Sequence, residues 1–292
     1  MTHPTTQTMS AALLLALLAL SACRDQAPTP AQKAAIEQGN AAVAYWENKC
    51  KTVAGEKIYR KVEGVQGILL LKVRPKAWEN EWHDRNFPGA AFARERQESE
   101  YIESFLGYEH SSAPDGKTPV SAADRGFVNT DFLPQNPSNE PGYRYVDVID
   151  EKDETRYRYS GSIKAVSKKD SVAWKAELEK DPNFDMNTYR WTLDKAVAPD
   201  PAPRYAVTYD DHVIPEERAL GVASSTLKVI DTQTKEVLGE LTRYAVTGGF
   251  EAQTSTSPWL RARYCPSFTG GSSSATRQFV DQVLIPQKNS AQ

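Results

Sequence analysis

The densest group of ionisable side chains in the sequence is Asp210-Asp211-His212, with Glu216-Glu217-Arg218 a few residues later. Carboxylates and imidazoles bind divalent metal ions, and the same groups perform acid–base catalysis. Asp210 and His212 are therefore candidate metal ligands. Neighbouring residues of an extended strand point to opposite faces, however, so the three side chains cannot all converge. The position just before Pro215 instead favours a solvated loop at the end of a strand.

A second histidine, His83, precedes Asp84 and lies four residues after Glu79. On a helix this spacing places His83 and Glu79 on one face, where both side chains are available to a metal ion. Two ligands do not complete a metal site. Trp78 and Trp82 indicate a helix edge that is half buried against the core. His83 is thus a candidate ligand without enough partners, and the sequence predicts no metal site.

The segment Arg156-Tyr157-Arg158-Tyr159 alternates basic and aromatic residues within a predicted strand. Because alternate residues of a strand share a face, Tyr157 and Tyr159 lie together and the arginines lie on the other side. One interpretation is a tyrosine-lined surface that binds a sugar, a peptide or a protein. The other is that the tyrosines pack inward while the arginines extend into solvent.

The sequence lacks the motifs of common hydrolases and nucleotide-binding enzymes. Ser225-Thr-Leu-Lys228 matches the Ser-x-x-Lys pattern of penicillin-binding enzymes, but that chemistry needs a helix start and this segment has the composition of a strand. No Gly-x-Ser-x-Gly, His-Glu-x-x-His or phosphate-binding loop is present. Two interpretations remain for residues 270–274. The loop could bind an anion through its free backbone amides, or it could be a flexible loop that supplies an N-cap serine to the last helix. We expect no catalytic residues and no cofactor.

The amino-terminal region contains a ten-residue run of Ala and Leu, residues 11–20, that ends just before Ser21. At about 1.5 Å per residue the run covers about half of a ~30 Å hydrocarbon core, so it is too short to span a membrane. Its length suits the hydrophobic region of a signal peptide. The sequence Leu20-Ser21-Ala22-Cys23 resembles the lipobox of bacterial lipoproteins, in which two small residues precede the cysteine that becomes the first mature residue.

This resemblance implies cleavage before Cys23 and attachment of lipid to that cysteine. Several acyl chains, each contributing about 0.8 kcal/mol per buried methylene, hold such a protein stably to a membrane. In Gram-negative lipoproteins an Asp directly after the cysteine favours the inner membrane, and here that residue is Arg24. The resemblance therefore implies the outer membrane, with the domain facing the periplasm. The leader departs from the pattern because it has no Lys or Arg. The alternative is an ordinary secretory signal that leaves Cys23 unlipidated.

The other two cysteines, Cys50 and Cys265, are separated by about 215 residues. In an oxidising periplasm two such thiols usually pair, and on the chain-entropy model a bridge of this span contributes about 5 kcal/mol. We therefore predict a Cys50–Cys265 disulfide, with two buried free thiols as the alternative. The formal net charge of −3 argues against nucleic acid as a partner, because such a partner requires a clearly basic surface.

Hydrophobic periodicity and the positions of Pro and Gly predict the secondary structure. A first helix covers residues 31–49 and is interrupted or weakened at Gly39-Asn40. A second helical region covers residues 80–106 with a break at Pro88-Gly89. Residues 108–142 read as a long irregular segment. Strands are predicted at residues 57–61, 65–74, 143–150, 155–166, 204–210, 226–231 and 236–246, and short helices at residues 174–180 and 275–284.

These elements predict an α+β fold, with a largely antiparallel twisted sheet and helices on one side and at both chain ends. The predicted organisation is a signal peptide at residues 1–22, a lipidated tether at 23–32, a single periplasmic domain at 33–286 and a tail at 287–292. A boundary near residue 140 would divide the domain into two lobes.

The scarcity of histidine and the lack of a catalytic constellation favour a binding protein over an enzyme. The chain looks like many lipoproteins of Gram-negative bacteria, and its folded part carries no motif of a named family. Three functions remain open: a lipoprotein that binds a protein or another envelope component, an immunity lipoprotein that neutralises a secreted antibacterial toxin, and a periplasmic hydrolase whose site assembles from distant residues. The expected partners are the membrane, through lipid on Cys23, and a periplasmic protein.

Overall fold

The computed structural model describes residues 27–76, 81, 83–92, 94–106, 142–184, 186–247, 258–259, 261–268 and 275–287. The leader with Cys23, residues 270–274 and all but the last residue of segment 108–142 lie outside this set. Trp78, Glu79 and Trp82 lie outside it as well. Contacts within the chain define two compact units, Met1–Gln38 and Gly39–Gln292.

Among the described residues, helices separate groups of one to three consecutive strands. The helices are α1 (Pro30–Thr52), α2 (Glu98–Leu106), α3 (Val172–Lys180), α4 (Pro215–Ala219) and α5 (Ala275–Val283), with a 3-10 turn at Ala90–Phe92. The strands are β1 (Gly55–Ile58), β2 (Val62–Val65), β3 (Gly67–Leu70), β4 (Tyr145–Ile149), β5 (Arg156–Ser167), β6 (Asn187–Val197), β7 (Tyr205–His212), β8 (Val222–Asp231), β9 (Val237–Val246), β10 (Arg263–Cys265) and β11 (Leu284–Pro286). Within the described residues, no helix combines the length and the apolar composition needed to cross a membrane.

Most of the strands form one sheet with the order β1-β9-β8-β7-β3-β4-β5-β6, and β10 pairs with β9. The pairs β1–β9, β10–β9, β8–β9, β7–β8, β4–β5 and β5–β6 are antiparallel. A smaller sheet pairs β2 with β11 in parallel. The predicted α+β fold with a largely antiparallel sheet is confirmed. Strands from both sides of residue 140 belong to the main sheet.

The centre of the main sheet is parallel, because β3 runs in the same direction as its two neighbours, β4 and β7. β3 is a continuous apolar run, Gly67-Ile68-Leu69-Leu70, and all of its residues are buried. A strand that is covered on both faces shows no alternation of apolar and polar residues, as is typical of parallel strands. A hairpin cannot join parallel neighbours, so a long connection separates β3 from β4.

The main core lies between one face of the sheet and helices α2 and α5. Its buried residues are Val65, Ile68, Leu70, Tyr101, Ile102, Phe105, Leu106, Tyr143, Val146, Val207, Tyr209, Leu227, Val229, Leu238, Leu241, Phe279, Val280, Val283 and Leu284. Helix α5 approaches β9 closely at Gly239, where a Cβ atom would lie 2.8 Å from Cγ2 of Val283. Glycine at this position allows the helix to contact the strand backbone.

Helix α1 begins at Pro30 because Thr29 and Gln32 cap its first turn. The backbone N–H of Thr29 donates to Oε1 of Gln32 at 2.8 Å, and the N–H of Gln32 donates to Oγ1 of Thr29 at 3.2 Å. This reciprocal arrangement is a capping box, and proline is well suited to the first helical position. The helix is not interrupted at Gly39-Asn40, one of the two predicted outcomes there, since it continues to Thr52. Gly39 is buried, and packing outweighs its helix propensity, which is roughly 1 kcal/mol poorer than that of alanine.

Beyond residue 38, α1 packs on the other face of the sheet. Ala42 is buried together with Val222, Tyr244 and Val246. These strand residues alternate with those that face the opposite side, so α1 and the pair α2 and α5 cover different faces. The indole N–H of Trp46 donates to the carbonyl of Tyr244 at 3.3 Å. Helices therefore contact both faces of the sheet.

Several elements have the predicted type, but they begin or end at other residues than predicted. The hairpin of residues 143–166 is confirmed, with Ile149 opposite Arg156 at its closed end. Strand β6 was not predicted; it pairs with β5 along its whole length, from Val197 opposite Tyr157 to Asn187 opposite Ser167. The last helix ends before Leu284, because residues 284–286 pair with β2 instead.

The predicted pairing of β8 with β9 is confirmed, and the turn between them depends on Asp231. Its carboxylate accepts hydrogen bonds from the backbone N–H groups of Gln233 and Thr234 and from the guanidinium of Arg204. Arg60 also contacts it at 3.1 Å. The hydrogen bonds from Arg204 hold the pKa of Asp231 well below its usual range. The side-chain-to-backbone hydrogen bonds expected of this turn are present.

The predicted disulfide between Cys50 and Cys265 is confirmed. Its Cα atoms are 5.8 Å apart, and it joins the last turn of α1 to β10 across a sequence separation of 215 residues. The bridge thus connects an early helix to a late strand of the same compact unit.

We predict that replacing both Cys50 and Cys265 by Ala lowers the free energy of unfolding by about 2–5 kcal/mol, because the open chain gains conformational freedom when it unfolds. Urea denaturation monitored by tryptophan fluorescence measures the change. Dithiothreitol should destabilise the wild type by a similar amount and leave the double variant unaffected. An equal effect of dithiothreitol on both proteins would contradict the prediction.

Candidate functional site

A cleft of about 610 Å³ opens where the parallel strands β3, β4 and β7 end. Open sheets with parallel strands commonly bind ligands beyond the carboxyl ends of those strands. Ligand clefts have volumes of about 300–1,000 Å³. Three pieces of chain line the cleft: residues 70–75, from the last residue of β3 onward, helix α2, and the β4–β5 hairpin. Tyr209 of β7 completes the lining.

The cleft combines aromatic rings with aliphatic side chains. Tyr157 and Tyr159 project from alternate positions of β5, and both line the cleft. The Tyr157 hydroxyl donates to Oδ2 of Asp153 at 2.8 Å, and Nζ of Lys195 lies 3.8 Å from the centre of its ring. These contacts fix the orientation of the ring. The aliphatic lining residues are Leu70, Leu71, Val73, Ile102, Val148 and Ile149.

The arginines that alternate with these tyrosines do not extend into solvent. Arg158 donates to both carboxylate oxygens of the buried Asp147, at 2.7 and 3.0 Å, and Nε of Arg156 lies 3.3 Å from the same carboxylate. Asp147 lies opposite Arg158 in the β4–β5 pairing, so the ion pairs occupy one face and the tyrosines the other. The arginines thereby anchor the strand that presents Tyr157 and Tyr159.

A smaller hollow of about 250 Å³ adjoins the cleft, and we call it the side hollow. The two share four lining residues: Lys72, Arg74, Pro75 and Tyr209. The other residues of the side hollow are Phe87, Pro88, Gly89, Phe92, Gln97, Asp210 and Asp211. Aromatic side chains therefore surround one end of the hollow and charged side chains the other.

Four charged side chains form a buried charge cluster beside the side hollow: Arg74, Glu95, Asp211 and Arg243. Arg74 Nη1 donates to Oδ2 of Asp211 at 3.0 Å, and its Nε lies 4.0 Å from Oε2 of Glu95. Glu95 also accepts a hydrogen bond from Arg243 and one from the hydroxyl of Thr276. Two positive and two negative charges compensate each other in this low-dielectric environment, as buried charges require.

The charge cluster shifts the pKa values of the groups around it. Burial lowers the pKa of Arg74, but the carboxylates of Asp211 and Glu95 outweigh burial and raise it overall. Burial raises the pKa of Tyr209 to about 12, against the opposing effect of Arg74, whose guanidinium carbon lies 4.2 Å from the centre of its ring. Burial also raises the pKa of Tyr101. Arg74 therefore stays charged and both tyrosines stay neutral at physiological pH.

Some polar atoms of this region have no hydrogen-bond partner among the residues that the structure describes: Nε of Arg74, Oδ1 of Asp211 and the hydroxyl of Tyr101. Buried polar atoms without a partner are uncommon in proteins because each raises the free energy of the folded state. Gly89 covers the same carboxylate, since a Cβ atom there would lie 2.8 Å from Oδ2 of Asp211. Its φ of 81° also favours glycine.

The structure separates the members of the ionisable group at residues 210–212. These residues belong to β7 and pair with Thr226, Ser225 and Ser224, so the predicted solvated loop is wrong. The side chain of Asp210 is 72% exposed, whereas that of Asp211 is 9% exposed. Strand pairing extends further than expected because β8 provides partners as far as residue 212. Alternation along the strand, rather than proximity in sequence, decides where each carboxylate lies.

His212 and Asp210 share the face opposite to Asp211, and Nδ1 of His212 lies 3.7 Å from Oδ2 of Asp210. The other ring nitrogen of His212 lies 3.0 Å from Oγ1 of Thr226. His83 is exposed on the surface. Within the described residues, no group of three or more His, Cys, Asp or Glu side chains is placed to hold a metal ion.

Sequence reasoning missed Arg74, Glu95 and Arg243, which form the charge cluster with Asp211. One sign was available in the predicted strand at residues 236–246: alternation places Arg243 on the same face as Leu241, which faces the core. A charge in that register indicates a buried partner of opposite sign. The sequence gives no comparable sign for Glu95, because it lies outside any helix or strand.

Comparisons of the chain with protein-family models, with curated proteins and with solved structures found no match. The chemistry of the cleft and the charge cluster is therefore inferred from the residues that form them.

We predict that Asp211→Asn lowers the free energy of unfolding by about 3 kcal/mol, because it leaves the buried charge of Arg74 without its closest partner. The neighbouring variant Asp210→Asn serves as a matched control and should change stability by less than about 0.5 kcal/mol, since that side chain is exposed. Urea denaturation measures both. Similar losses in the two variants would show that the Arg74–Asp211 pair does not stabilise the fold.

Proposed function

We propose that this chain is a lipid-anchored protein of the cell envelope that acts by binding a protein or another envelope component in the cleft, rather than by catalysis. The observation that carries the proposal is the cleft at the ends of β3, β4 and β7. It offers three tyrosine rings and an aliphatic surface, a composition typical of binding sites. Leu71 and Ile149, 44% and 45% exposed, give this surface apolar area that a partner can cover.

The state of the ionisable groups favours binding over catalysis. Asp211 and Glu95, the carboxylates next to the side hollow, are both engaged by arginines. A general base needs a free carboxylate or imidazole within reach of the substrate, and both of these carboxylates already form ion pairs with arginines. His212 lies on the other face of β7 and contacts Thr226. Asp211, Glu95 and His212 therefore stabilise the structure around the cleft, and the tyrosines are the side chains that contact a partner.

The proposed location is the outer membrane, with the domain facing the periplasm. The lipobox-like sequence at residues 20–23 and Arg24 are its basis. The Cys50–Cys265 disulfide supports an oxidising compartment, where such bridges form and persist. In this proposal lipid on Cys23 holds the protein at the membrane surface, where the cleft meets partners in the periplasm.

We predict that Cys23→Ala moves the protein from the membrane fraction to the soluble periplasmic fraction. The physical reason is that lipidation needs the cysteine thiol, and the remaining chain has no comparable apolar anchor in its described residues. Fractionation followed by immunoblotting measures the distribution, and mass spectrometry of the wild type detects the acyl chains. Arg24→Asp in the same assay should move the protein to the inner membrane. A Cys23→Ala protein that stays with the membrane would refute the anchor.

The cleft itself is tested by affinity capture from detergent-solubilised envelopes. We expect Tyr157→Ala combined with Tyr159→Ala to lose the partners that the wild type captures, because both rings line the cleft. Tyr59→Ala is a matched control: its ring is 57% exposed and its hydroxyl donates to Glu240, away from the cleft. Circular dichroism checks that all variants are folded. Partners that bind the double variant as well as the wild type would place binding elsewhere.

A further inference from the structure

We infer that the cleft binds an extended segment of polypeptide, one with apolar side chains at alternate positions and charged side chains of both signs around them. This inference rests on the proposed function, since it names the occupant of the same cleft. Three independent features of the cleft lead to it: the spacing of its aromatic rings, the charges along its rim and the backbone N–H groups of residues 72 and 73, which have no partner among the described residues.

The aromatic rings have the spacing of alternate side chains in an extended chain. Tyr157 and Tyr159 are two residues apart on β5, which separates their Cα atoms by about 6.6–6.8 Å. Both edges of β5 are paired, with β4 and with β6, so an extended peptide would lie over its tyrosine face, where its own side chains repeat with the same period. Each tyrosine can therefore contact one of two successive side chains on that face, and the aliphatic lining accommodates apolar ones.

The charges along the cleft distinguish between classes of ligand. Lys72, Lys152, Glu98 and Glu151 all line it, and within the described part of the chain none of them has an ion-pair partner. A neutral glycan would leave all four charges unpaired. An anionic lipid headgroup would meet two carboxylates as well as two ammonium groups. A polypeptide offers both signs, so its charge pattern is the one that complements this cleft.

The chain that follows β3 provides backbone groups for a peptide. The N–H of Leu71 still donates to Val207 at 3.0 Å, which continues the pairing of β3 with β7. Among the described residues, the N–H groups of Lys72 and Val73 have no hydrogen-bond partner. Free backbone groups beside a sheet are the feature that extended peptides use when they bind by strand addition. The adjoining side hollow then has room for one larger side chain of the peptide.

The test selects a phage-displayed library of short random peptides on the full chain purified in detergent. We expect the enriched peptides to carry apolar residues at alternate positions and charged residues of both signs. Fluorescence anisotropy with a selected peptide should show an affinity loss of about tenfold or more for Tyr157→Ala. Tyr59→Ala, whose ring is exposed away from the cleft, should bind the peptide as the wild type does.

Charge reversal provides a second readout that loss of folding cannot imitate. Selection on Lys72→Glu should enrich peptides with more basic residues, and selection on Glu151→Lys should enrich more acidic ones. Lys175→Glu and Glu179→Lys on α3 are matched controls, because they change the net charge equally and lie outside the cleft. If the control variants change the charge of the enriched peptides in the same way, the selection depends on the net charge of the protein and not on the cleft, and the assignment is overturned.

Two further probes separate a polypeptide from other occupants. Tetra-N-acetylglucosamine represents a neutral glycan, and vesicles of phosphatidylethanolamine and phosphatidylglycerol represent a lipid surface. Binding of either probe that depends on Tyr157, with no enriched peptide, would overturn the polypeptide assignment and leave the cleft as a binding site. If no probe binds and envelope capture is also independent of Tyr157, the proposed function itself fails. Peptides that bind Tyr157→Ala and the wild type equally would likewise overturn the inference.

Discussion

The parallel pairing of β3 with both of its neighbours is the constraint on which the rest of the structure depends. β3 is short and buried, it lies between two other strands, and both of these strands, β4 and β7, run in its direction. The carboxyl ends of these three strands therefore lie side by side, and the cleft opens there. The antiparallel strands on both sides extend the sheet and turn its faces toward the helices.

The buried charges follow from the same arrangement. Asp211 and Arg243 lie in one row across β7, β8 and β9, on the face that packs against α2 and α5. Arg74 lies beside Asp211 because the chain leaves the sheet after β3. Each charge is stable only while the others compensate it, so the cluster couples residues from three distant parts of the sequence. The cleft thereby gains a rigid polar end next to its aromatic lining.

The aromatic side of the cleft is supported from behind. Arg156 and Arg158 hold the buried Asp147 on the face of the hairpin that points away from the cleft. A strand with such ion pairs on one face presents Tyr157 and Tyr159 in a fixed register on the other. A preformed surface loses little conformational entropy when it binds, which suits the role proposed for this cleft.

The sequence by itself determined the α+β class, the hairpin of β4 and β5, the pairing of β8 with β9 and the Cys50–Cys265 bridge. Local patterns carry the first three features, because alternation and turn residues act over short distances. The bridge follows from the cysteines once Cys23 is set aside as the expected lipidation site. Only the tertiary structure decided that β3 is parallel to its neighbours and that Arg74 meets Asp211. It also decided that Tyr157 and Tyr159 line a cleft. These features depend on contacts between residues far apart in the chain, and a continuous apolar run or a single buried charge does not specify its partner.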